Sequence, residues 1–141
     1  MAALYAYDLM RNTGCQVDPM TNAYCYIEAV ANNDPSSYWF YQLPLGKQLG
    51  PNITTSACSE CTQDLMDAYA SALNSTSGAN LKGLAQMYNS AADTLNNLCG
   101  ASYAKATQDS ISSSAWANAG VPRTSTLAAM GVLAVVFAKM A

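Results

Sequence analysis

The chain has 141 residues, a net charge of −3 and charged side chains at only 11% of positions, against roughly 25% in ordinary soluble proteins. That length holds one domain plus a terminal segment, and the sparse charge fits a surface of Ser, Thr, Asn and Gln. The absence of histidine excludes serine–histidine and cysteine–histidine catalysis within the chain and removes the commonest zinc ligand, so no catalytic residue, metal or cofactor is expected. Without a basic cluster, no nucleic-acid partner is expected either.

In chain order, residues 4–10 read as the end of a helix closed by Asn12-Thr13-Gly14. Residues 15–21 form a loop containing Asp18-Pro19. Residues 22–30 read as a short helix with Tyr24, Ile27 and Val30 on one side. Asn32-Asn33-Asp34-Pro35-Ser36-Ser37 is a strong break. The most apolar stretch of the domain follows, Tyr38-Trp39-Phe40-Tyr41-Gln42-Leu43-Pro44-Leu45-Gly46; Pro44 and Gly46 forbid a long helix, which predicts an extended segment and turn. Residues 47–55 are loop.

The second half is more periodic. Thr55-Ser56 is placed to cap a helix over about residues 57–73, whose apolar positions Cys58, Cys61, Leu65, Ala68, Tyr69, Ala72 and Leu73 recur at helical spacing. A polar turn over 74–78 leads to a second helix over about 80–98. Its stripe is Leu81, Leu84, Ala85, Tyr88, Ala91, Ala92, Leu95 and Leu98, and Cys99-Gly100 ends it. Two helices joined by a short polar turn predict an antiparallel hairpin. After Ala101 the chain turns Ser-, Thr- and Ala-rich, as a stalk does.

The last residues carry an address. Small residues from Ser112 to Gly120, a polar spacer and an apolar run over 127–137 match the needs of a glycosylphosphatidylinositol (GPI) attachment signal. Ser113, Ser114 and Asn118 are the candidate attachment residues. The run is too short for a membrane span of roughly 20 residues, and a short anchor or a buried core helix are the competing readings of a segment apolar on every face. Two sequons, at Asn52 and Asn74, fall in predicted loops and are competent N-glycosylation acceptors. The amino terminus lacks a basic start, and Asp8 interrupts any apolar core of signal-peptide length, so residue 1 is not expected to be the true start.

Cys15, Cys25, Cys58, Cys61 and Cys99 read as a disulfide framework with one thiol left over. Cys99 closes the second helix near the start of the first, which predicts a bridge to Cys58 or Cys61. Cys58-Ser59-Glu60-Cys61 alternatively reads as a redox pair or half a zinc site, but the thioredoxin-like context and further ligands are missing. Trp39, Phe40 and Tyr88 are the candidate ligand contacts, through stacking, with core packing as the competing reading. Glu60, Asp64 and Asp67 share a helix face; a glycoside-cleaving pair, from these or Glu28, needs a cleft of defined width, and near a helix N-terminus a solvated acidic face is the simpler reading.

Five motifs occur in order: Tyr24-Cys25-Tyr26-Ile27-Glu28-Ala29-Val30, Tyr41-Gln42-Leu43-Pro44-Leu45-Gly46, Cys58-Ser59-Glu60-Cys61-Thr62-Gln63-Asp64-Leu65-Met66, Tyr88-Asn89-Ser90-Ala91-Ala92 and Cys99-Gly100. Over about residues 4–106 this resembles an uncharacterised domain of fungal secreted and GPI-anchored surface proteins. The resemblance implies a fungal cell-surface location, no assigned reaction, and a chain that corresponds to the C-terminal half of a longer pattern.

The expected fold is therefore mostly α: a disulfide-stapled helical domain over residues 1–106 containing the hairpin, a stalk and attachment region over 107–126, and a hydrophobic tail over 127–141 that is removed on GPI attachment. The expected function is that of a non-enzymatic surface glycoprotein, structural or adhesive, attached to the membrane through its lipid. The alternative is an extracellular module binding a lipid, sterol or cell-wall glycan, and a carbohydrate-active enzyme is the third reading.

Overall fold

Five α-helices and three 3₁₀ turns build residues 2–107, the part of the chain that the computed structural model describes. The helices are α1 (Ala2–Gly14), α2 (Cys25–Ala31), α3 (Ser36–Phe40), α4 (Glu60–Leu73) and α5 (Lys82–Cys99), and the 3₁₀ turns are Leu43–Leu45, Thr55–Ala57 and Gly78–Asn80. Among the described residues there is no strand, only an antiparallel bridge between Val17 and Tyr24 that closes the loop from α1 to α2. The attachment candidates Ser113, Ser114 and Asn118, the stalk beyond Thr107 and the tail lie outside the described residues.

The core forms where the apolar faces of α4 and α5 meet. Leu65, Met66 and Tyr69 of α4 and Leu84, Tyr88 and Leu95 of α5 are completely buried, and Phe40 and Leu43 close the same cluster. Each such side chain contributes about 1.5–3 kcal/mol by leaving water. Both helices carry this face because their apolar residues recur at three- and four-residue intervals.

Two disulfides staple the unit. Cys25 pairs with Cys61 and Cys58 with Cys99, with Cα–Cα distances of 5.5 and 5.4 Å. Each closes a long loop, with sequence separations of 36 and 41, which in the chain-entropy account stabilises the fold by about 4 kcal/mol. Cys15 is an exposed free thiol.

Several local expectations are corrected. Helix α4 starts three residues later than predicted because Ser59, not Thr55 or Ser56, is its cap: the Ser59 hydroxyl accepts a hydrogen bond from the Thr62 amide at 3.1 Å. Thr55–Ala57 instead closes a 3₁₀ turn capped by Thr54. Helix α5 likewise starts at Lys82, after the 3₁₀ turn Gly78–Asn80. Helix α1 continues through Thr13, whose hydroxyl is satisfied within the helix by the Leu9 carbonyl at 2.9 Å.

The aromatic segment is helical rather than extended. Helix α3 carries Tyr38, Trp39 and Phe40, and Pro44 sits in the first turn of the 3₁₀ segment, where the amide it lacks has no partner to lose. Gly46 then ends the segment at φ 73°. Helix α2 begins at Cys25 because Asn22 holds a positive φ of 61°. It turns Cys25 and Ala29 inward and leaves Tyr24, Ile27 and Val30 exposed. The segment after α5, expected to open the stalk, is packed down: Ala104 and Thr107 are buried, and Asn96 holds Ala104 through both backbone groups at 2.8 and 3.3 Å.

Backbones touch where α5 crosses the Leu43–Leu45 turn. A Cβ on Gly83 would lie 2.8 Å from the Gly46 nitrogen and 3.0 Å from the Pro44 carbonyl oxygen. Gly83→Ala is expected to destabilise the protein by about 1–3 kcal/mol by forcing these backbones apart, although alanine favours a helix over glycine. Urea unfolding of the oxidised chain checks this; a stabilised variant would contradict the close approach.

Candidate functional site

The loop between α1 and α2 positions an acidic group. In the turn after Asp18, one carboxylate oxygen (Oδ1) accepts the Met20 amide at 2.7 Å, and the Asn22 amide returns to the Asp18 carbonyl at 2.8 Å. Asn22 takes the left-handed conformation that this tight turn requires. Three residues after Cys25, Glu28 lies in the first turn of α2, and its Oε1 accepts the Thr21 hydroxyl at 2.6 Å.

Each carboxylate is thus oriented through one oxygen, and the other oxygens converge. Asp18 Oδ2 lies 3.7 Å and Glu28 Oε2 3.9 Å from Cys61 Sγ, and one oxygen of each carboxylate lies within 4.8 Å of the other and of the sulfur. The sulfur is bridged to Cys25. It therefore carries no proton and donates no hydrogen bond to either oxygen. The carboxylates stand at a cleft of about 290 Å³, also lined by Tyr41, Ser37, Ser56 and Thr62.

Tyr41 is only 6% exposed, and its buried hydroxyl has no hydrogen-bond partner. Burial chiefly, then the charges of Glu28 and Tyr26, push its pKa up to about 12. Tyr26 packs edge-on against it with ring centroids 5.2 Å apart.

A second polar cluster lies beside the first sequon. Asp34 Oδ1 accepts the amide and hydroxyl of Ser36, and Oδ2 accepts the Thr54 hydroxyl. Hydrogen bonds from the Ser36 side chain, then Thr54, then the Ser36 amide hold the Asp34 carboxyl well below the usual carboxylate range. Thr54, the hydroxyl residue of the Asn52 sequon, is therefore also a structural tie between two loops.

The remaining predicted residues are scattered. Phe40 and Tyr88, candidate ligand contacts, are completely buried, and Trp39 is half-buried with its indole over Gly50. The Tyr88 hydroxyl donates to the Lys105 carbonyl at 2.6 Å, so this ring is a core pillar rather than a platform. Asn52 and Asn74 are both exposed in loop or helix-end positions. Glu60 and Asp64 are exposed, and Asp67 pairs with Lys105 at 2.9 Å, a surface pair worth about 0–1 kcal/mol. Of the acidic candidates, Glu28 is the one that converges with a carboxylate from another segment, that of Asp18. Asp18 and Tyr41 are not among the predicted site residues: the Val17–Tyr24 bridge folds the Asp18 turn onto α2, the Cys25–Cys61 bridge brings both to α4, and no local pattern encodes this assembly.

The profile of a domain of unknown function, DUF7729, matches residues 1–108. No curated protein and no solved structure matches the chain.

Two pH limits follow from the shifted groups. The folded pKa of Asp34 is depressed. Its stabilisation is therefore present above the ordinary carboxylate range and is lost as pH falls through that range toward the folded value. Asp34→Asn should flatten the acid limb of the stability–pH curve, measured by urea unfolding. Tyr41, Tyr88 and Tyr103 have pKa values pushed up to about 12, in each case chiefly by burial. They contribute stability that is fully present below about pH 10 and lost as pH rises toward 12. An ultraviolet tyrosinate titration should show these groups ionising after the exposed tyrosines; a single unshifted transition would contradict their burial.

Proposed function

The chain belongs to the DUF7729 family, a domain of unknown function, and on that premise we propose that it is the displayed domain of a non-enzymatic fungal cell-surface glycoprotein, GPI-anchored, with a structural or adhesive role. The observation that carries the reading is the pair of disulfides in a small helical unit. Such staples persist in oxidising, extracellular compartments and are rare in the cytosol. The exposed sequon residues Asn52 and Asn74 and the small-residue, spacer and apolar-tail pattern of the last residues support the same address.

In this reading α4 and α5 form an antiparallel hairpin, with Cys58–Cys99 as its end staple. Residues 107–126 carry the domain away from the membrane, residues 127–141 are exchanged for lipid, and the chain corresponds to the C-terminal half of a longer surface protein. A second reading, an extracellular module for a small apolar ligand, is favoured by one observation. An open groove of about 480 Å³ is lined by Leu4, Tyr5, Leu9, Ala72 and Leu81, and Leu4 is 75% exposed.

Release from intact cells expressing the full-length gene product tests the anchor. Phosphatidylinositol-specific phospholipase C should free the protein, and the freed protein should lack the tail by mass spectrometry. Surface retention with residues 127–141 intact would overturn the anchored reading. Asn52→Gln and Asn74→Gln should each remove one N-glycan, read as a mobility step that a glycosidase abolishes.

A further inference from the structure

We propose that the cleft over the Cys25–Cys61 bridge is a binding site for a hard divalent cation of the calcium type, with Asp18 and Glu28 as its protein ligands and Tyr41 facing the ion or one of its waters. Two independent features point to it. The first is the convergence of Asp18 Oδ2 and Glu28 Oε2. Among the described residues neither has a nitrogen or hydroxyl donor as partner; the contact each makes is with the bridged Cys61 sulfur, at 3.7 and 3.9 Å. The opposite oxygens are anchored by the Met20 amide and the Thr21 hydroxyl, so the geometry is set before any ion arrives.

The second feature is Tyr41. It comes from a different element, lines the same cleft, is 6% exposed, and its hydroxyl has no partner. A buried unsatisfied hydroxyl costs about 1–3 kcal/mol, and an ion-bound water or the ion itself would satisfy it.

The spacing suits the ion. Calcium–oxygen distances are about 2.3–2.6 Å, so one ion spans two oxygens up to about 5 Å apart, and the two carboxylates have an oxygen each within 4.8 Å of the other. A glycosidase pair, by contrast, faces across a gap of about 5–9.5 Å wide enough for the scissile bond, whereas these carboxylates sit side by side on one sulfur. Apart from the Asn32 amide nitrogen, the polar side-chain atoms lining the cleft are oxygens, and the bridged sulfur is not a thiolate. That favours a hard cation over zinc or copper. The absence of histidine is no obstacle to such a site. The only ion pair among the described residues is Lys105–Asp67, so the two negative charges are not neutralised by a protein cation.

The test is calorimetric titration of the oxidised full chain with calcium chloride, with terbium luminescence excited through tyrosine as a second readout. One saturable site is expected, with a Kd on the order of 10⁻⁴–10⁻³ M as in extracellular calcium modules, and calcium should displace terbium. D18N/E28Q, which keeps both anchoring acceptors, should raise Kd at least tenfold. Tyr41→Phe should raise it about two- to tenfold, the loss of one hydrogen bond. Asp64→Asn, on the exposed face of α4, should leave it unchanged. No saturable binding at 10 millimolar calcium would overturn the proposal, as would binding that survives D18N/E28Q with its affinity intact. If the double variant loses its helical circular dichroism, calcium-induced amide shifts in the unaltered chain decide. Shifts centred on Asp18, Glu28 and Cys61 support the site, and shifts confined elsewhere overturn it.

Discussion

Everything in this unit is organised by the divergence of two cysteines at the start of α4. Cys58 lies in the turn before the helix and Cys61 in its first turn, and they bridge outward to different elements rather than to each other. Cys58 fastens the end of α5, which fixes the register of the two long helices whose faces make the core. Cys61 fastens the start of α2, a helix of 7 residues that is far too short to be stable by itself. The bridge also sets the rotation of α2. With Cys25 held against α4, Ala29 points inward, Ile27 and Val30 are left in solvent, and Glu28 stands over the sulfur.

Tyrosine hydroxyls tie the irregular segments to this frame. Tyr69 donates to the Phe40 carbonyl at 3.3 Å, Tyr88 to the Lys105 carbonyl at 2.6 Å, and Tyr103 to the Ser59 carbonyl. Each hydroxyl thereby ties its ring to a backbone carbonyl of another segment; the Ser59 carbonyl also accepts the Gln63 amide that opens α4. In a small domain with a modest core, this combines burial with loop fixation. It also explains why Phe40 and Tyr88 serve stability and are not surface contacts. Tyr41 departs from the pattern: it is buried and lines the acidic cleft, but its hydroxyl has no partner.

Much of this was legible in the residues. The stripes of α4 and α5 were visible at three- and four-residue spacing, because long amphipathic helices bury a continuous face. Bridging of Cys99 back to the Cys58/Cys61 pair was narrowed to two candidates, and structure separates them by the non-helical turn at Cys58. The aromatic segment is helical despite Pro44, because a proline in the first turn of a short 3₁₀ segment breaks nothing. The α4 cap is not legible locally, because Thr54, Thr55, Ser56 and Ser59 are all competent caps and contacts of Thr54 with Asp34 and Ser36 commit it to the preceding 3₁₀ turn. The acidic site was half legible. Glu28 is among the acidic candidates, but Asp18 joins it through the loop closed by the Val17–Tyr24 bridge and Tyr41 comes from a separate element, an assembly that no local pattern encodes.

The most direct measurement is peptide mapping of the alkylated, unreduced protein by mass spectrometry. Linked peptides are expected for Cys25–Cys61 and Cys58–Cys99, with Cys15 carrying the alkyl group. A Cys58–Cys61 bridge, or Cys15 paired within the chain in place of either bridge, would contradict it and remove the constraint on which the core, the orientation of α2 and the acidic cleft all depend.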